Sequence, residues 1–466
     1  MDKFLHTIKK LIPKKIFKLA QPAYHFLLNF FAAAINGNPS NELAVIGVTG
    51  TTGKTTSAYL IMKTLQGVGY KVGMTSTAVF CDGEKEWMND KKMTMIGRFF
   101  TQKMLRDMVK NKCQYAIIET TSEGVVQYRH RFINYDTLVF TGLYPEHIES
   151  HGSFEKYKAA KGKLFEHLKR CKTKYRDDKK EICRVAEGLK KIDLERVKKT
   201  FILNGDDEHF GYFFNFLAEK KIVYSKSEEF SLTESDNVQI VKYGDILNGE
   251  NGISFSVLDY DFNTKLLGDF NATNAMNAIC VGISEKIDIA NIKKSLEKIS
   301  GVAGRLEKIE EGQDFTVIVD YAFEPNAVLK LYETVVLIPG GDSRKIIHVL
   351  GSTGGGRDVA RRPILGKIAG ENADFVIVTN EDPYDEDPEL IIDQVALGAE
   401  NAGKKQGKNL FKVSDRESAI RKALKLAGPG DLVLVTGKGN EQAICVANGD
   451  KIGWDDRKIV KKILRE

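Results

Sequence analysis

Residues 45–56 decide the fold, and they read Val45-Ile46-Gly47-Val48-Thr49-Gly50-Thr51-Thr52-Gly53-Lys54-Thr55-Thr56. The apolar run from Leu43 to Val48 predicts a buried strand, and a helical pattern follows the loop and ends ahead of Gly67. A strand, a glycine loop and a helix in this order cradle phosphate. Glycines let backbone N–H groups approach the oxygens, and the helix N-terminus adds partial positive charge. The stretch therefore predicts a nucleotide site.

Lys54 and Thr55 supply the polar side chains of this predicted site. Lys54 would reach the β- and γ-phosphates, and the Thr55 hydroxyl would ligate Mg²⁺. The spacing differs from the usual G-x4-G-K-[ST] pattern, because two residues rather than four separate Gly50 from Gly53. A glycine- and threonine-rich loop without a ligand is the alternative. The predicted ATP-binding residues of the loop are Gly50, Thr51, Thr52, Gly53, Lys54, Thr55 and Thr56.

Length, charge and cysteine usage narrow the class of protein. The 466 residues are enough for two or three domains. A formal net charge of +6 without concentrated basic patches argues against nucleic acid as a partner. The six cysteines are scattered singly, which favours a reducing compartment over a zinc module or a disulfide framework. No cleavable signal or spanning apolar run is apparent, so we expect a cytoplasmic α/β enzyme that acts as a monomer.

Residues 1–40 differ in composition from the rest of the chain. Six lysines in residues 3–18 interleave with apolar residues, and residues 23–35 are almost wholly apolar. Two interpretations are open. Residues 1–36 could make peripheral contact with an anionic membrane surface, or they could form a helical arm that packs on the body of the protein.

Apolar strand-like runs alternate with helical stretches through the rest of the chain, as is typical of α/β folds. Runs 115–118 and 137–140 are of the buried, parallel-sheet kind, and residues 238–257 suggest a small antiparallel patch. Residues 169–200 are interpreted as solvated helices, because charged residues dominate them. From residue 301 a second alternation predicts another mostly parallel, doubly wound sheet.

These patterns predict an α/β protein of three parts. They are a short helical N-terminal arm (residues 1–40), a central P-loop ATPase-like domain with a parallel sheet (residues 41–300) and a C-terminal Rossmann-like doubly wound domain (residues 301–466).

Polar residues follow two strands of the predicted central sheet. Glu119 stands directly after one strand, and residues 141–152 follow the next. Ligands of open α/β sheets bind at the carboxyl ends of strands, so these side chains are expected to face the phosphate crevice. His147 and His151 are four residues apart, which would suit a metal on a helix, but the glutamate placement does not match H-E-x-x-H. A structural role in a loop is the alternative for each histidine.

Residues 154–165 predict an amphipathic helix with an unusual feature. Tyr157, Lys161 and Leu164 share one face at helical spacing. A lysine on an inward face is unusual, and a side chain that snorkels to solvent is the alternative.

Several segments together resemble the Mur ligases, the ATP-dependent amide-forming enzymes of peptidoglycan synthesis. Residues 119–129 are similar to the family's E-V-S-S-H-x-L-x-Q-x-R stretch, and residues 157–165 to its Y-x-x-A-K-x-x-L-F stretch. The resemblance runs from residue 43 to the C-terminus and is greatest to the branch that adds the third amino acid of the stem peptide. The matching segments, in the family's order, are 50–56, 119–129, 141–152, 157–165, 268–274, 304–307, 319–322, 354–358, 380–388 and 437–441.

The resemblance implies roles for the matched residues. Lys161 matches a lysine that is carbamylated in the family, and with Glu119 and His147 it would bind a second Mg²⁺ beside the ion on Thr55. Two cations would screen the charge of the ATP phosphates and a substrate carboxylate. Catalytic roles fall to Lys54, His147 and carbamylated Lys161. Further nucleotide contacts are implied for Asn271, Asn274, Arg305 and Asp320, and substrate contacts for Thr121, Ser122, Gln127, Arg129, Arg357, Asp382, Tyr384, Gly437 and Glu441.

The chain departs from the family pattern at several positions. Phe323 replaces the histidine after D-Y-A, Glu324 replaces the usual threonine, and Asn440 replaces the histidine of G-K-G-H-E. Residues 94–96 read Thr-Met-Ile where T-T-P is common. The family's N-terminal UDP-binding domain has no room ahead of the ATP loop, where only the short arm is expected.

The resemblance implies an ATP-dependent amide ligase that uses ATP and two Mg²⁺ ions. Its partners would be a UDP-muramoyl dipeptide and an amino acid, joined through an acyl phosphate. One alternative is a ligase similar to folylpolyglutamate synthetase. The other is a nucleotide-binding scaffold that has lost ligase activity, which Phe323 and Asn440 suggest.

The incoming amino acid is expected to be basic. Relatives that add diaminopimelate have D-N-P-R where this chain has residues 381–384, and their arginine forks onto the far carboxylate, a contact that the phenol of Tyr384 cannot reproduce. The acidic residues around Tyr384 would favour a far ammonium, as in lysine or ornithine. Arg357 could grip the α-carboxylate and Glu441 the ammonium. Alternatively, Tyr384 is a surface residue and another arginine supplies the grip.

Overall fold

The computed structural model describes residues 14–145, 151–183, 194–233, 235–249, 251–338, 343–356 and 359–466. The chain folds into two compact units. Unit 1 comprises Met1–Trp87, Met93–Gly244 and Thr273–Leu296, and unit 2 comprises Met88–Lys92, Asp245–Ala272 and Glu297–Glu466. Residues 245–272, which the sequence analysis placed in the central domain, thus fall in unit 2. The domain boundaries after residues 40 and 300 stay predictions.

Strands and helices alternate along most of the chain. The strands are β1 (Ala44–Thr49), β2 (Val72–Thr75), β3 (Val79–Cys81), β4 (Glu86–Met88), β5 (Tyr115–Glu119), β6 (Thr137–Phe140), β7 (Lys174–Arg176), β8 (Glu195–Val197), β9 (Thr200–Asn204), β10 (Lys220–Ser225), β11 (Val238–Gly249), β12 (Gly252–Val257), β13 (Tyr260–Thr264), β14 (Glu307–Ile309), β15 (Thr316–Val319), β16 (Ile346–Leu350), β17 (Phe375–Val378), β18 (Leu410–Lys412), β19 (Leu432–Val435), β20 (Ala443–Cys445) and β21 (Lys451–Gly453). The helices are α1 (Lys14–Ile35), α2 (Lys54–Gly67), α3 (Arg98–Lys110), α4 (Ser122–Val126), α5 (Phe154–Leu168), α6 (Phe210–Phe214), α7 (Phe270–Ser284), α8 (Ile289–Leu296), α9 (Pro325–Val335), α10 (Arg361–Asn372), α11 (Pro388–Asn401), α12 (Arg416–Leu426) and α13 (Asp456–Arg465).

Unit 1 is built on a mostly parallel sheet, as predicted. Its strand order is β11-β10-β9-β6-β1-β5-β2-β3-β4. All six residues of β1 are buried, as expected for an apolar run in the middle of a parallel sheet. β1 pairs in parallel with β5 and β6, and the register places Val48 beside Glu119 and Thr49 beside Phe140. The segments that follow these three strands therefore meet at one edge of the sheet.

The interpretation of residues 169–200 as solvated helices is wrong where the structure describes them. Residues 174–176 and 195–197 form the antiparallel pair β7 and β8, and residues 184–193 lie outside the described part. The Lys174 ammonium is buried, where it donates to Leu43 O at 2.7 Å and to the Asp136 carboxylate at 2.5 Å. A high density of charged residues predicts solvent exposure, but Lys174 pairs with Asp136 inside the protein.

The carboxylate of Asp136 pairs with two buried ammonium groups. Its carboxylate accepts from Lys174 Nζ at 2.5 Å and from Lys199 Nζ at 2.8 Å, and burial lowers the pKa of Lys174 to about 8. We expect Asp136→Ala to lower the free energy of unfolding by about 3–5 kcal/mol, because both ammonium groups lose their counter-charge. Urea denaturation measures the change.

The exposed ion pair between Glu166 and Arg170 offers a matched control for this substitution. Glu166→Ala should cost less than about 1 kcal/mol, since solvent screens a surface pair. Equal losses in the two variants would contradict the assignment of Asp136 as the partner of buried charge.

Unit 2 contains the predicted doubly wound sheet. Its strand order is β14-β15-β19-β16-β17-β18, with β14 antiparallel to β15 and the other pairings parallel. Alternate residues of each strand belong to different cores: Ile318 and Leu434 pack with α9, α10 and α11, whereas Val317 and Val433 pack with α12 and α13. Helices therefore cover both faces, as the period-two alternation of strand side chains requires.

Helix α1 packs on the body of unit 1 through part of its surface. Asn29 Nδ2 donates to Gln127 O at 3.3 Å, and the rings of Phe26 and Phe30 lie 5.2 and 5.8 Å from the ring of Phe132. The arm interpretation therefore holds for this part of the helix. Among the described helices, none combines the length and the apolar character that a bilayer crossing needs.

Candidate active site

The predicted phosphate loop joins β1 to α2 and leaves no space for side chains at its glycines. A Cβ on Gly50 would lie 2.0 Å from Thr141 Oγ1. Gly53 has a φ of 76°, and a Cβ there would lie 2.4 Å from Asn274 Oδ1. The neighbouring strand end holds the loop, because Thr51 N donates to Gly142 O at 2.8 Å and Thr141 Oγ1 donates to the carbonyl of Thr52 at 2.6 Å. The backbone of the loop therefore lies so close to neighbouring residues that only glycine fits at Gly50 and Gly53.

Lys54 begins helix α2 and is half-buried. Its ammonium donates to Thr51 O at 2.6 Å, so the side chain lies over the loop that it follows. The first turn of α2 adds backbone N–H groups and the positive end of the helix dipole at the same place. This arrangement suits an anionic ligand such as a polyphosphate.

Glu119 ends strand β5 next to the loop and is almost fully buried. Its carboxylate accepts from Thr55 Oγ1 at 3.0 and 3.1 Å. Thr77 adds two further donors, its backbone N at 2.7 Å and its hydroxyl at 3.0 Å. A hydroxyl and a carboxylate are hard oxygen donors of the kind that Mg²⁺ prefers. Thr55 and Glu119 therefore fit the predicted metal site.

Thr77 is a residue that the sequence analysis missed. It follows β2, which pairs with β5 in the sheet, and its Oγ1 also lies 2.9 Å from Thr94 Oγ1. The signal that could have found Thr77 is its position after a strand next to the one that ends in Glu119.

Lys161 lies on the inward face of α5, as the helical spacing predicted, and it does not snorkel. The residue is 2% exposed, and Nζ donates to Gly50 O at 2.6 Å. It also lies 4.6 Å from the ring centre of Tyr157, whose hydroxyl is 3.1 Å from Thr51 Oγ1. Lys161 and Glu119 thus contact opposite ends of the same loop.

The third predicted metal ligand, His147, lies outside the described residues. Within the described ranges, no group of three or more His, Cys, Asp and Glu side chains is arranged to hold a metal ion. His151 is described, and its Nε2 lies 3.1 Å from Ser122 Oγ. Burial lowers the pKa of His151 below its ordinary value, although the charge of Glu123 opposes this.

Four of the predicted substrate contacts lie in or next to α4. Thr121 caps this helix by accepting from Gly124 N at 3.1 Å. The Arg129 guanidinium donates to Gln127 Oε1 at 2.7 Å and to the carbonyl of Met95. This places Thr121, Ser122, Gln127 and Arg129 in one segment, beside the strand end that carries Glu119.

The other residues predicted to contact the nucleotide belong to different segments of the chain. Asn274 lies beside the loop and accepts from Ser57 Oγ at 3.2 Å, whereas Asn271 donates within its own segment to Leu267 O at 2.7 Å. Asp320 in unit 2 accepts from the backbone N of Leu306 and Ala322 at 2.7 and 2.6 Å. Burial raises the pKa of Asp320, although the nearby charge of Arg305 opposes this.

Three of the departures from the family pattern, Phe323, Glu324 and Asn440, lie in unit 2. Asn440 Oδ1 accepts from Arg305 Nη1 at 3.4 Å, and that guanidinium lies 4.3 Å from the ring centre of Tyr321. Phe323 packs edge-on against Tyr321 at 5.0 Å. Glu324 pairs with Arg361 at 2.7 Å. Each replacement thus has a defined structural partner.

The acidic residues around Tyr384 do not form a free rim, which corrects the sequence expectation. Asp382 contacts Lys92 at 2.6 Å and Lys438 at 2.9 Å, and Glu441 contacts the same two lysines at 3.0 and 2.6 Å. Glu441 is therefore not free to hold an ammonium. The backbone of Asn448 donates to Asp385, the guanidinium of Arg362 donates to Glu386, and the backbone of Glu389 donates to Asp387.

Glu381, the first acidic residue of this segment, is buried. Oε1 accepts from Thr353 Oγ1 at 3.0 Å, while the buried Oε2 has no hydrogen-bond partner among the residues that the structure describes. A Cβ on Gly437 would lie 2.4 Å from that oxygen, so a glycine is required there. Burial raises the pKa of Glu381. Arg357, the predicted grip for the α-carboxylate, lies outside the described residues.

Comparison with known proteins agrees with this geometry. The family model described as "Mur ligase middle domain" matches residues 48–193 and 177–282, and that of "Mur ligase, glutamate ligase domain" matches residues 304–439. A UDP-N-acetylmuramyl-tripeptide synthetase of Roseiflexus sp. (strain RS-1) is 35% identical over 443 residues, which cover 93% of this chain and 81% of that protein. A UDP-N-acetylmuramoyl-L-alanyl-D-glutamate–2,6-diaminopimelate ligase of Halalkalibacterium halodurans is 31% identical, with coverage of 93% and 81%.

Solved structures show the same fold. A UDP-N-acetylmuramoyl-L-alanyl-D-glutamate–2,6-diaminopimelate ligase superposes with a TM-score of 0.56 at 25% identity, over 91% of this chain and 78% of the other. Folylpolyglutamate synthase of Mycobacterium tuberculosis superposes with a TM-score of 0.61 at 15% identity, over 87% and 91%, which indicates a shared fold alone. With matches over this length, the chain belongs to the Mur ligase family of ATP-dependent ligases.

Proposed function

We propose that this chain joins an amino acid to the peptide of UDP-N-acetylmuramoyl-L-alanyl-D-glutamate, with cleavage of ATP to ADP and phosphate. The observation that carries this proposal is the buried Glu119 carboxylate bonded to Thr55 at the start of α2, beside a loop that suits polyphosphate. The printed functions of the relatives, tripeptide synthetases and diaminopimelate ligases, supply the substrate class.

The proposed reaction has two steps. The terminal phosphoryl group of ATP passes to an oxygen of the peptidyl carboxylate, which gives an acyl phosphate and ADP. The amine of the incoming amino acid then attacks the acyl carbon, the amide C–N bond forms, and phosphate leaves with the former carboxylate oxygen. Lys54 and the loop N–H groups stabilise charge on the transferred phosphoryl group. Asn271, Asn274, Arg305 and Asp320 are proposed to contact the nucleotide.

Two Mg²⁺ ions are part of this proposal. When bound, they would screen the negative charge of the phosphates and of the acceptor carboxylate. Thr55 and Glu119 would hold metal with their oxygens, and His147 is proposed as a further ligand. Lys161 offers no oxygen as an ammonium, but carbamylation would add a carboxylate beside the carbonyl of Gly50, which it now contacts at 2.6 Å. We therefore propose that Lys161 is carbamylated in the active enzyme.

The substrate contacts are proposed in two groups. Residues around α4 would hold the muramoyl peptide, and residues of unit 2 would hold the amino acid. The first group is Thr121, Ser122, Gln127 and Arg129, and the second is Arg357, Asp382, Tyr384 and Gly437. Glu441 is left out of the second group, because it pairs with Lys92 and Lys438.

A measurement of ADP release tests the proposed reaction. Purified protein is supplied with ATP and Mg²⁺, and then with UDP-muramoyl dipeptide, with an amino acid panel, or with both. We expect steady ADP release when both substrates are present, together with a product whose mass equals the sum of the two less one water. ADP release that ignores the dipeptide, or none with any amino acid, would favour a nucleotide-binding scaffold instead.

The amino acid is proposed to be L-lysine or a similar diamine. Tyr384 cannot grip a second carboxylate as an arginine would, and the buried Glu381 carboxylate, with one oxygen unpaired among the described residues, would favour a nearby ammonium group. We expect a higher kcat/KM for L-lysine than for meso-diaminopimelate. Glu381→Gln should reduce the preference, because the amide carries no charge. A clear preference for diaminopimelate would show that the interpretation of Tyr384 is wrong.

A further inference from the structure

Helix α1 carries a concentrated set of exposed apolar side chains. Six large ones lie within residues 24–35, and their exposure ranges from 37% to 75%. They are Tyr24, Phe26, Leu27, Phe30, Phe31 and Ile35. Single exposed apolar residues are ordinary on protein surfaces, whereas a contiguous set marks a surface that binds something.

The exposed and the packed sides of α1 meet at Phe26 and Phe30, whose rings are partly exposed and also pack against Phe132. Asn29, Ala32 and Ala33 are buried against the body of unit 1. The outward side repeats at intervals of three and four residues and consists of Ala23, Tyr24, Leu27, Phe30, Phe31, Ala34 and Ile35. No charged residue occurs between Lys18 and Glu42. The outward face is therefore a continuous apolar stripe without a charge.

The residues ahead of this stripe are strongly basic. Residues 1–18 contain six lysines and a single acidic residue, Asp2. Lys14, Lys15 and Lys18 belong to the first turns of α1, and the other three lysines lie outside the described residues. A basic segment followed by an apolar helical face matches the two components of an anionic bilayer, its charged headgroups and its acyl boundary.

We propose that α1 docks this protein onto an anionic membrane surface, with the helix in the plane of the bilayer and its outward face toward the lipid. A second copy of the chain fits the same face less well. The first acidic residue beyond the stripe, Glu42, already pairs with Arg106 at 3.0 Å, so α1 offers no counter-charge to the lysines of a partner helix. The inference does not rest on the proposed reaction, because lipid binding is measured without turnover.

Vesicle flotation of the full chain tests the proposal. We expect binding to vesicles of phosphatidylcholine mixed with phosphatidylglycerol, and much weaker binding to phosphatidylcholine alone. Raising the ionic strength from about 0.01 M to about 1 M shortens the Debye length from roughly 30 Å to roughly 3 Å and should release the protein. Binding that is equal on both vesicle types, or absent from the anionic ones at low salt, would overturn the proposal.

A pair of matched variants locates the binding surface. Leu27→Glu/Phe31→Glu should reduce the bound fraction at least about tenfold, since it places two charges in the apolar stripe. Leu217→Glu/Leu397→Glu makes the same charge change at exposed leucines elsewhere and should bind as the wild type does. Wild-type binding by the α1 variant would overturn the proposal. So would a vesicle-free dimer, seen by light scattering, that the α1 variant abolishes, because the occupant would then be a second copy.

Discussion

Lys161→Ala is expected to lose at least about 10²-fold in kcat, the cost of removing a preorganised group that stabilises transition-state charge. The lysine is buried, its Nζ lies 2.6 Å from Gly50 O, and the other end of the loop meets Glu119 through Thr55. If Lys161 acts as a carbamate, a small carboxylic acid such as acetate or formate should enter the space left by alanine and restore part of the rate. Steady-state ADP release measures both effects.

The rescue separates a chemical role of Lys161 from a structural one. A variant that had only lost packing would not respond to an added carboxylate, and its melting temperature would account for its lower activity. Lys163→Ala is the matched control, because that lysine lies on the same helix and is exposed. Full activity of Lys161→Ala would contradict the proposed carbamate.

Glu119→Gln is expected to have an effect of similar size that depends on magnesium. The glutamine keeps the shape of the side chain but removes the negative charge of the carboxylate, whose oxygens accept from Thr55 and Thr77. We expect roughly 10²–10³-fold lower kcat/KM for ATP at moderate Mg²⁺, since charge neutralisation at the phosphates is the main task of such a site. The Mg²⁺ concentration that gives half-maximal activity should rise.

Glu123→Gln provides the control for this prediction. Glu123 is exposed in α4, four positions further along the chain, so its substitution makes the same chemical change close to the site. It should leave both the rate and the magnesium dependence unchanged. A Glu119→Gln variant with the wild-type magnesium dependence would show that this carboxylate does not hold the metal.

The sequence predicted the elements whose pattern is local. The run 137–140 is strand β6 with the same bounds, and the spacing of Lys161 placed it correctly on the inward face of α5. Both follow from periodicity, because a buried strand needs a continuous apolar run and a helix face repeats every three to four residues. The phosphate loop at residues 50–56 can be predicted from the sequence in the same way, because its glycines and its lysine occur together in one short stretch.

Contacts between segments that are far apart in the sequence cannot be predicted from local patterns. Lys92 meets Asp382 across 290 positions, and no local pattern marks it as the partner of that acid. For the same reason, the sequence alone does not show that Lys174 is buried, because its partner Asp136 precedes a different strand. The family resemblance supplied residue roles, but it gave no indication that Glu441 is already paired.

The acyl phosphate is the central claim, and the fate of one oxygen atom tests it most directly. Dipeptide acceptor labelled with ¹⁸O in its reacting carboxylate is turned over with ATP, Mg²⁺ and amino acid, and the released phosphate is examined by mass spectrometry. Since the carboxylate oxygen that takes the phosphoryl group leaves with it, we expect one labelled oxygen in each phosphate that is released as an amide forms. Amide formation with unlabelled phosphate, or with the label in AMP, would contradict it.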